Sequence, residues 1–253
     1  MPKAKAAAAK ALQIDDQLGE AHVSLGYVSF TYDFDWKLAG NYFDQALKLN
    51  PSYTRSHTFY PLYLSSFGRT DEAIEVAGNA AQLDPISPAL SHSLAIQLYL
   101  GRKFDEAIAQ SRKTLEIDTN YPVALAMLEQ SYAAKGDYSQ ALRYIEKYQA
   151  VTRNSAMSLS LAGYVHARLG QRAEALRAIE QLNTASKTGF TPALYFALIY
   201  VGLGDRDQAF AWLNKSSEER FARLAYLNRE ALWDSLRDDT RFAGLSKRIG
   251  IPQ

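Results

Sequence analysis

Four histidines and four pairs of neighbouring acids are the residues of this chain with most chemistry to offer. His22, His57 and His92 fall nearly in step along the sequence, so a ladder of imidazoles could be imagined as metal ligands. A metal needs donors converging at about 2 Å on one ion, whereas equivalent residues of stacked helices lie roughly 10 Å apart. Packing is therefore the expected role of these three and of His166, which is expected to be core. The pairs Asp33/Asp35, Asp71/Glu72, Asp105/Glu106 and Asp238/Asp239 stand where helices should begin, and there carboxylates complement the helix dipole. Acid–base work by two carboxyls requires them to face each other across a cleft, which this spacing does not arrange. The chain has no cysteine, which removes disulfides, thiolate chemistry and cysteine-based zinc sites. Phosphate-loop, nucleophile-elbow and HExxH motifs are missing too. The sequence thus predicts no catalytic, cofactor-binding or metal-binding residues, and no enzyme.

What positions these side chains is a repeat. Steps of 34 residues from Ala73 land on Ala39, Ala107, Ala141, Ala175 and Ala209. Chance would produce six such hits in one phase at a level on the order of 10⁻³ or less. Glycine stands five residues before the anchor in Gly68, Gly136, Gly170 and Gly204, with Gly101 displaced by one, and should stop a first helix in the left-handed conformation. An acid or amide directly before the anchor (Glu72, Glu106, Gln140, Glu174, Gln208) suits the first turn of a second helix, by its charge or as a cap. Alanine at the anchor lets two helices approach closely. Pro51 and Pro85 end second helices, while Pro88 and Pro122 begin first ones. Each conspicuous residue is explained by building an αα-hairpin.

The expected division is 1–16, the second helix of a truncated repeat; then units at 19–53, 54–87, 88–121, 122–155, 156–189 and 190–220; then capping helices at 221–253. The insertion Tyr32 to Trp36 makes the first full unit one residue longer. In the last segment Leu224, Leu227, Leu232, Trp233, Leu236, Phe242, Leu245 and Ile249 suggest two short helices folded over the last hairpin. Arg229, Glu230, Arg237, Asp238, Asp239, Lys247 and Arg248 are expected to face water. With 47% hydrophobic and 22% charged residues the composition is that of an ordinary globular protein. A net charge of +1 supplies no field for nucleic acid or anionic lipid, and the longest apolar run, Ala193 to Leu203, is too short to span a membrane.

The period, the pair Leu25 and Gly26, the glycine-to-alanine turn and the Asp-Pro ending resemble tetratricopeptide repeats over about residues 3–217. The insertion at 32–36, the tract 197–213 and the tail 236–252 together look like the C-terminal repeat region of bacterial multidomain signalling proteins. Such regions follow serine/threonine kinase, nucleotide cyclase or winged-helix DNA-binding domains. The resemblance implies an all-α, right-handed superhelix that binds a protein or peptide on its concave wall. The location is left open between the cytoplasm and, if a membrane span precedes these residues, the periplasm. The groove-facing residues it implies are Tyr27, Phe30, Arg55, Thr58, Leu62, His92, Ile96, Tyr99, Gln130, Ser160, Tyr164 and Arg168, of which roughly a third should pack inside. Val23 and Tyr27 stand where a carboxylate clamp would carry lysine and asparagine, so an extended or helical apolar segment is the expected partner. Self-association through residues 3–14 is the alternative, and RNA binding a more distant one.

Overall fold

The computed structural model describes residues 1–251; Pro252 and Gln253, the end of the expected cap, lie outside them. The leading helix α1 covers Pro2–Ile14. Six hairpins follow: α2 (Gly19–Val28) with α3 (Trp36–Leu49), α4 (Ser56–Ser66) with α5 (Thr70–Leu83), α6 (Pro88–Leu100) with α7 (Phe104–Ile117), α8 (Pro122–Ala134) with α9 (Tyr138–Thr152), α10 (Ala156–Arg168) with α11 (Arg172–Ser186), and α12 (Ala193–Leu203) with α13 (Arg206–Glu218). Two 3₁₀ turns, Ala222–Tyr226 and Ala231–Leu236, and the helix α14 (Thr240–Arg248) make up the tail. No strand occurs among the described residues. The fold is an all-α solenoid.

All six anchor alanines are fully buried. The turn glycines Gly68, Gly136, Gly170 and Gly204 adopt φ between 74° and 79°, the left-handed region expected of them. In the third unit the left-handed residue is Arg102 (φ 63°), and Gly101 before it is right-handed (φ −81°). Three of the second helices are capped by an aspartate four residues before the anchor, three earlier than the position directly before it. Asp35, Asp137 and Asp205 accept from the backbone N–H of Leu38, Gln140 and Gln208 at 3.0–3.1 Å. The extra residue of the first unit is absorbed as a π-helical turn, Ser29–Asp33, closed by Phe34 in the left-handed region (φ 56°).

Second helices such as α3, α5 and α7 bury a single stripe. First helices such as α8, α10 and α12 are buried on nearly every side. Neighbouring hairpins cover two of those sides, and the tail covers the third. Beyond the last hairpin the chain turns back along the inner wall. Leu224, Ala225, Leu227, Leu232, Trp233 and Leu236 are all buried, the larger of them worth about 1.5–3 kcal/mol each. Ala225 lies in one apolar cluster with Phe30, Ala39 and Phe43 of the first unit. Arg220 donates to the carbonyl of Tyr32 at 3.2 Å, and Gly250 lies against Trp36. The tail therefore covers the last hairpin and also fills much of the concave side, reaching the insertion of the first unit. Glu230, expected to face water, is buried there. If the hairpin spacing depends on close approach at the anchors, Ala141→Leu should lower the urea midpoint, a loss of about 1–3 kcal/mol; an unchanged midpoint would contradict this packing.

Candidate functional site

On the concave side the tail leaves one stretch open, between the inner faces of α4, α6 and α8. It consists of two adjoining hollows that share Leu62, His92 and Ile96. The outer, of about 640 Å³, is walled by Tyr53, Arg55, Thr58, Phe59 and Tyr121. The inner, of about 200 Å³, runs under the tail between Met127, Met157 and Tyr195 to a floor of Tyr99, Gln130, Arg223, Tyr226 and Glu230. Apolar walls over a few convergent polar groups are the common form of a binding groove.

The floor is held by charge pairing away from water. Arg223 donates through Nε to Glu230 at 2.7 Å and through Nη2 to the side-chain oxygen of Gln130. The other oxygen of Glu230 accepts from the indole N–H of Trp233 at 2.8 Å. Burial works against the Arg223 charge, but Glu230 outweighs it and the guanidinium is held protonated. Tyr99 is 1% exposed and its hydroxyl has no partner. Glu129, next to Gln130 on α8, is fully buried with neither carboxylate oxygen bonded. Burial pushes its carboxyl well above the usual range, with Arg223 opposing. His92 has an unpartnered Nδ1, and burial holds its pKa down to about 4.

Of the twelve residues expected in the groove, Arg55, Thr58, Leu62, His92, Ile96, Tyr99 and Gln130 line this open stretch. Tyr27 is stacked on Phe59 at 4.2 Å and half-buried. Phe30, Ser160 and Tyr164 are interior: Phe30 packs on Trp36 and Tyr63, and Ser160 donates to the carbonyl of Tyr195 at 2.7 Å. Arg168 is exposed and bonded to the Tyr138 hydroxyl, apart from the groove. Sequence reasoning missed Tyr53, Phe59 and Tyr121, and the tail residues Arg223 and Tyr226. The first three sit in loops or on helix faces where the repeat phase carries little signal.

The three histidines other than His92 bond within the fold. His22 and His57 each bond the carbonyl six residues earlier, of Asp16 and Pro51, at 2.9 and 2.6 Å. His166, expected in the core, is half-buried and bonded to Gln171 at 2.6 Å. Among the described residues no group of histidine and carboxylate ligands converges as a metal site would require. Most of the paired acids are occupied: Asp33 with Lys5 at 2.6 Å, Glu72 with Arg69 at 2.7 Å, Asp105 with Lys135, Asp238 with Arg206 at 3.0 Å, and Asp239 as the cap of α14, while Asp71 is exposed.

A tetratricopeptide repeat family model matches residues 124–156, which are most of α8 and α9. No curated protein matches the chain in sequence. Among solved structures, pilF of Pseudomonas aeruginosa is similar over 74% of this chain and 85% of its own, at 24% identity and a TM-score of 0.54. PilW, a widely conserved type IV pilus biogenesis factor, is similar over 73% of this chain and 85% of its own, at 21% identity and a TM-score of 0.60. A chain of the APC/C hetero-tetramer Cut9–Hcn1 follows 98% of this chain with 46% of its own, at 16% identity and a TM-score of 0.65. At such identities the likeness is one of fold, a stack of helical hairpins.

The unpaired Glu129 makes stability depend on pH with a definite sign. Its folded pKa lies above the ordinary 4.5, so the unfolded chain ionises first and stability falls as pH rises above that value. His92 acts oppositely: its stabilising neutral form is lost as pH falls from 6.5 towards about 4. The melting temperature of Glu129→Gln minus that of wild type should therefore grow by about 2–4 °C between roughly pH 5 and pH 8. A flat difference would mean that Glu129 ionises in the folded protein without penalty.

Proposed function

We propose that this chain is a non-catalytic protein-interaction scaffold that holds an apolar peptide or partner segment in the groove between α4, α6 and α8. One observation carries this reading: the tail covers the concave wall elsewhere yet leaves an open, largely apolar stretch over a polar floor. Leu62, Ile96, Met127 and Met157 supply the apolar contact, with Arg55 at the outer end and Tyr99 beneath. An extended or helical segment buries its anchor side chains in such a groove. The repeat match at 124–156 and the fold shared with PilW and with a chain of the Cut9–Hcn1 assembly support an assembly role over catalysis. The insertion and tail that resemble the repeat region of signalling proteins make the setting a sensory or regulatory one.

A second reading, self-association through residues 3–14, is favoured by α1. This helix packs mainly on α2, buries only Ala8, and leaves Ile14 80% exposed. Sedimentation that shows a monomer at high concentration would rule it out.

Peptide-library selection against the wild-type protein should yield apolar sequences whose amide-shift perturbations map to α4, α6 and α8. Ile96→Asp should weaken them at least about tenfold, or 1.4 kcal/mol. Leu176→Asp, on the half-exposed outer side of α11, should leave them unchanged. Selected peptides insensitive to Ile96→Asp, or no selectable peptide at all, would overturn the reading.

A further inference from the structure

At the edge of the solenoid where first helices turn into second ones, the third unit breaks the pattern of the others. Arg102 takes the left-handed position that glycine occupies in the neighbouring units, a conformation costing an L-residue about 1 kcal/mol or more. Gly101 beside it is needed for space, since a Cβ there would stand 3.0 Å from Thr70 and 3.2 Å from the carbonyl of Gln97. The turn thus aims the Arg102 side chain at the tail, where it grips both oxygens of Asp234.

Two more arginines converge on this point. Arg237 donates to the same Asp234 at 2.7 Å and to the backbone of Glu230 at 3.0 Å. Arg229 has no such acceptor among the described residues. Its Nε is buried and unbonded, and its Nη2 lies only 2.7 Å from where a Cβ on Gly68 would be. Burial, with repulsion from Arg237 and Arg102, lowers its pKa from the usual arginine value. One carboxylate here faces three guanidiniums, so the cluster carries excess positive charge.

The unpaired guanidinium borders a cavity of about 300 Å³, lined mainly by polar atoms of Thr70, Asp71, Arg102, Asn228 and Arg229. Helix α5 starts at Thr70, and its N-cap, Arg69, offers no side-chain acceptor; the guanidinium of Arg69 turns to Glu72 instead. The N–H groups of that first turn thus have no side-chain cap, and they carry the positive end of the helix dipole. Asp71 at the rim is exposed and free to turn to water. With Asp71 and Asp234 both counted against the three arginines, one positive charge remains in excess.

We propose that this cavity binds a tetrahedral oxyanion of the phosphate class, held between Arg229 of the tail, Arg102 and the first turn of α5. The free planar fork of Arg229, the N–H groups Arg102 has left beside Asp234, and free helix N–H groups are the donors such an anion takes. Bound there, it ties the tail to the turns of the second and third units, so it stabilises the folded protein by mass action. The anion is either free phosphate or a phosphate carried on a side chain of a partner.

The test is thermal unfolding of the full chain in sodium phosphate, in sodium chloride of equal ionic strength, and with O-phosphoserine added to the chloride buffer. Phosphate stabilises many proteins by exclusion from their surface, so the signal is the phosphate-minus-chloride difference of wild type compared with that of Arg229→Gln. The site predicts an excess in wild type of about 2–4 °C, lost in Arg229→Gln and reduced in Arg229→Lys, which keeps the charge but not the fork. Arg229→Gln should melt in chloride at or above wild type, because it removes an uncompensated charge. Amide titration of wild type with phosphate should shift Thr70 and Asp71 to saturation. An excess only with O-phosphoserine assigns the site to a partner-borne phosphate. Equal differences in wild type and Arg229→Gln, with no saturable shift at Thr70 for either probe, overturn the proposal.

Discussion

Inside the concave wall, an arginine and a glutamate of the same tail are paired with each other where water is scarce. Arg223 and Glu230 satisfy one another, Trp233 donates to the other oxygen of Glu230, and Gln130 accepts from Arg223. Removing charges from water is expensive, and such a pair holds only if its geometry is complete. That requirement fixes the path of residues 222–236, because the guanidinium, the carboxylate and the indole must all arrive at α8 together. The path of the tail in turn decides which part of the wall stays open.

The apolar pattern of the helices follows from the same arrangement. An isolated hairpin cannot bury its inner face, and a curved stack of hairpins leaves that face lining a channel. Here the channel is filled over the first and last units by Leu224, Ala225, Leu232, Trp233 and Leu236. The first helices are consequently apolar on most sides. The middle of the wall stays open, where Leu62, His92 and Ile96 line both hollows. Tyr99 in the floor there, and Glu129 buried behind it on α8, keep unused bonding capacity in an interior where such groups are normally paired.

The repeat was legible from the alanine phase and the turn glycines, because each hairpin is a local structure whose signals lie within about a dozen residues of one another. The same logic could not reach contacts between residues 30 and 225, or between residues 102 and 234, for which the sequence carries no period. Glu230 reads as a solvent residue by pattern and is buried because its partner lies seven residues before it, across a turn no motif announces. Arg102 reads as a slipped glycine turn, yet its strain serves a contact with the tail. The insertion at Tyr32 to Trp36 and the tail stood out together in the sequence, and the fold supplies the reason: Arg220 bonds Tyr32 and Gly250 rests on Trp36. Seven of the twelve expected positions line the open stretch, since inner-face positions recur with the repeat. Phe30, Ser160 and Tyr164 occupy equally inner positions and differ only in what covers them.

Hydrogen exchange measured amide by amide is the most direct test of the central claim that the tail is a fixed part of the concave wall. The account predicts that the amides of Leu227, Arg229 and Trp233, bonded within the tail turns, exchange with the same free energy as the core of α8 and α10, by global unfolding. Exchange of those three amides orders of magnitude faster than that core would show the tail to be a detachable flap, and would contradict it.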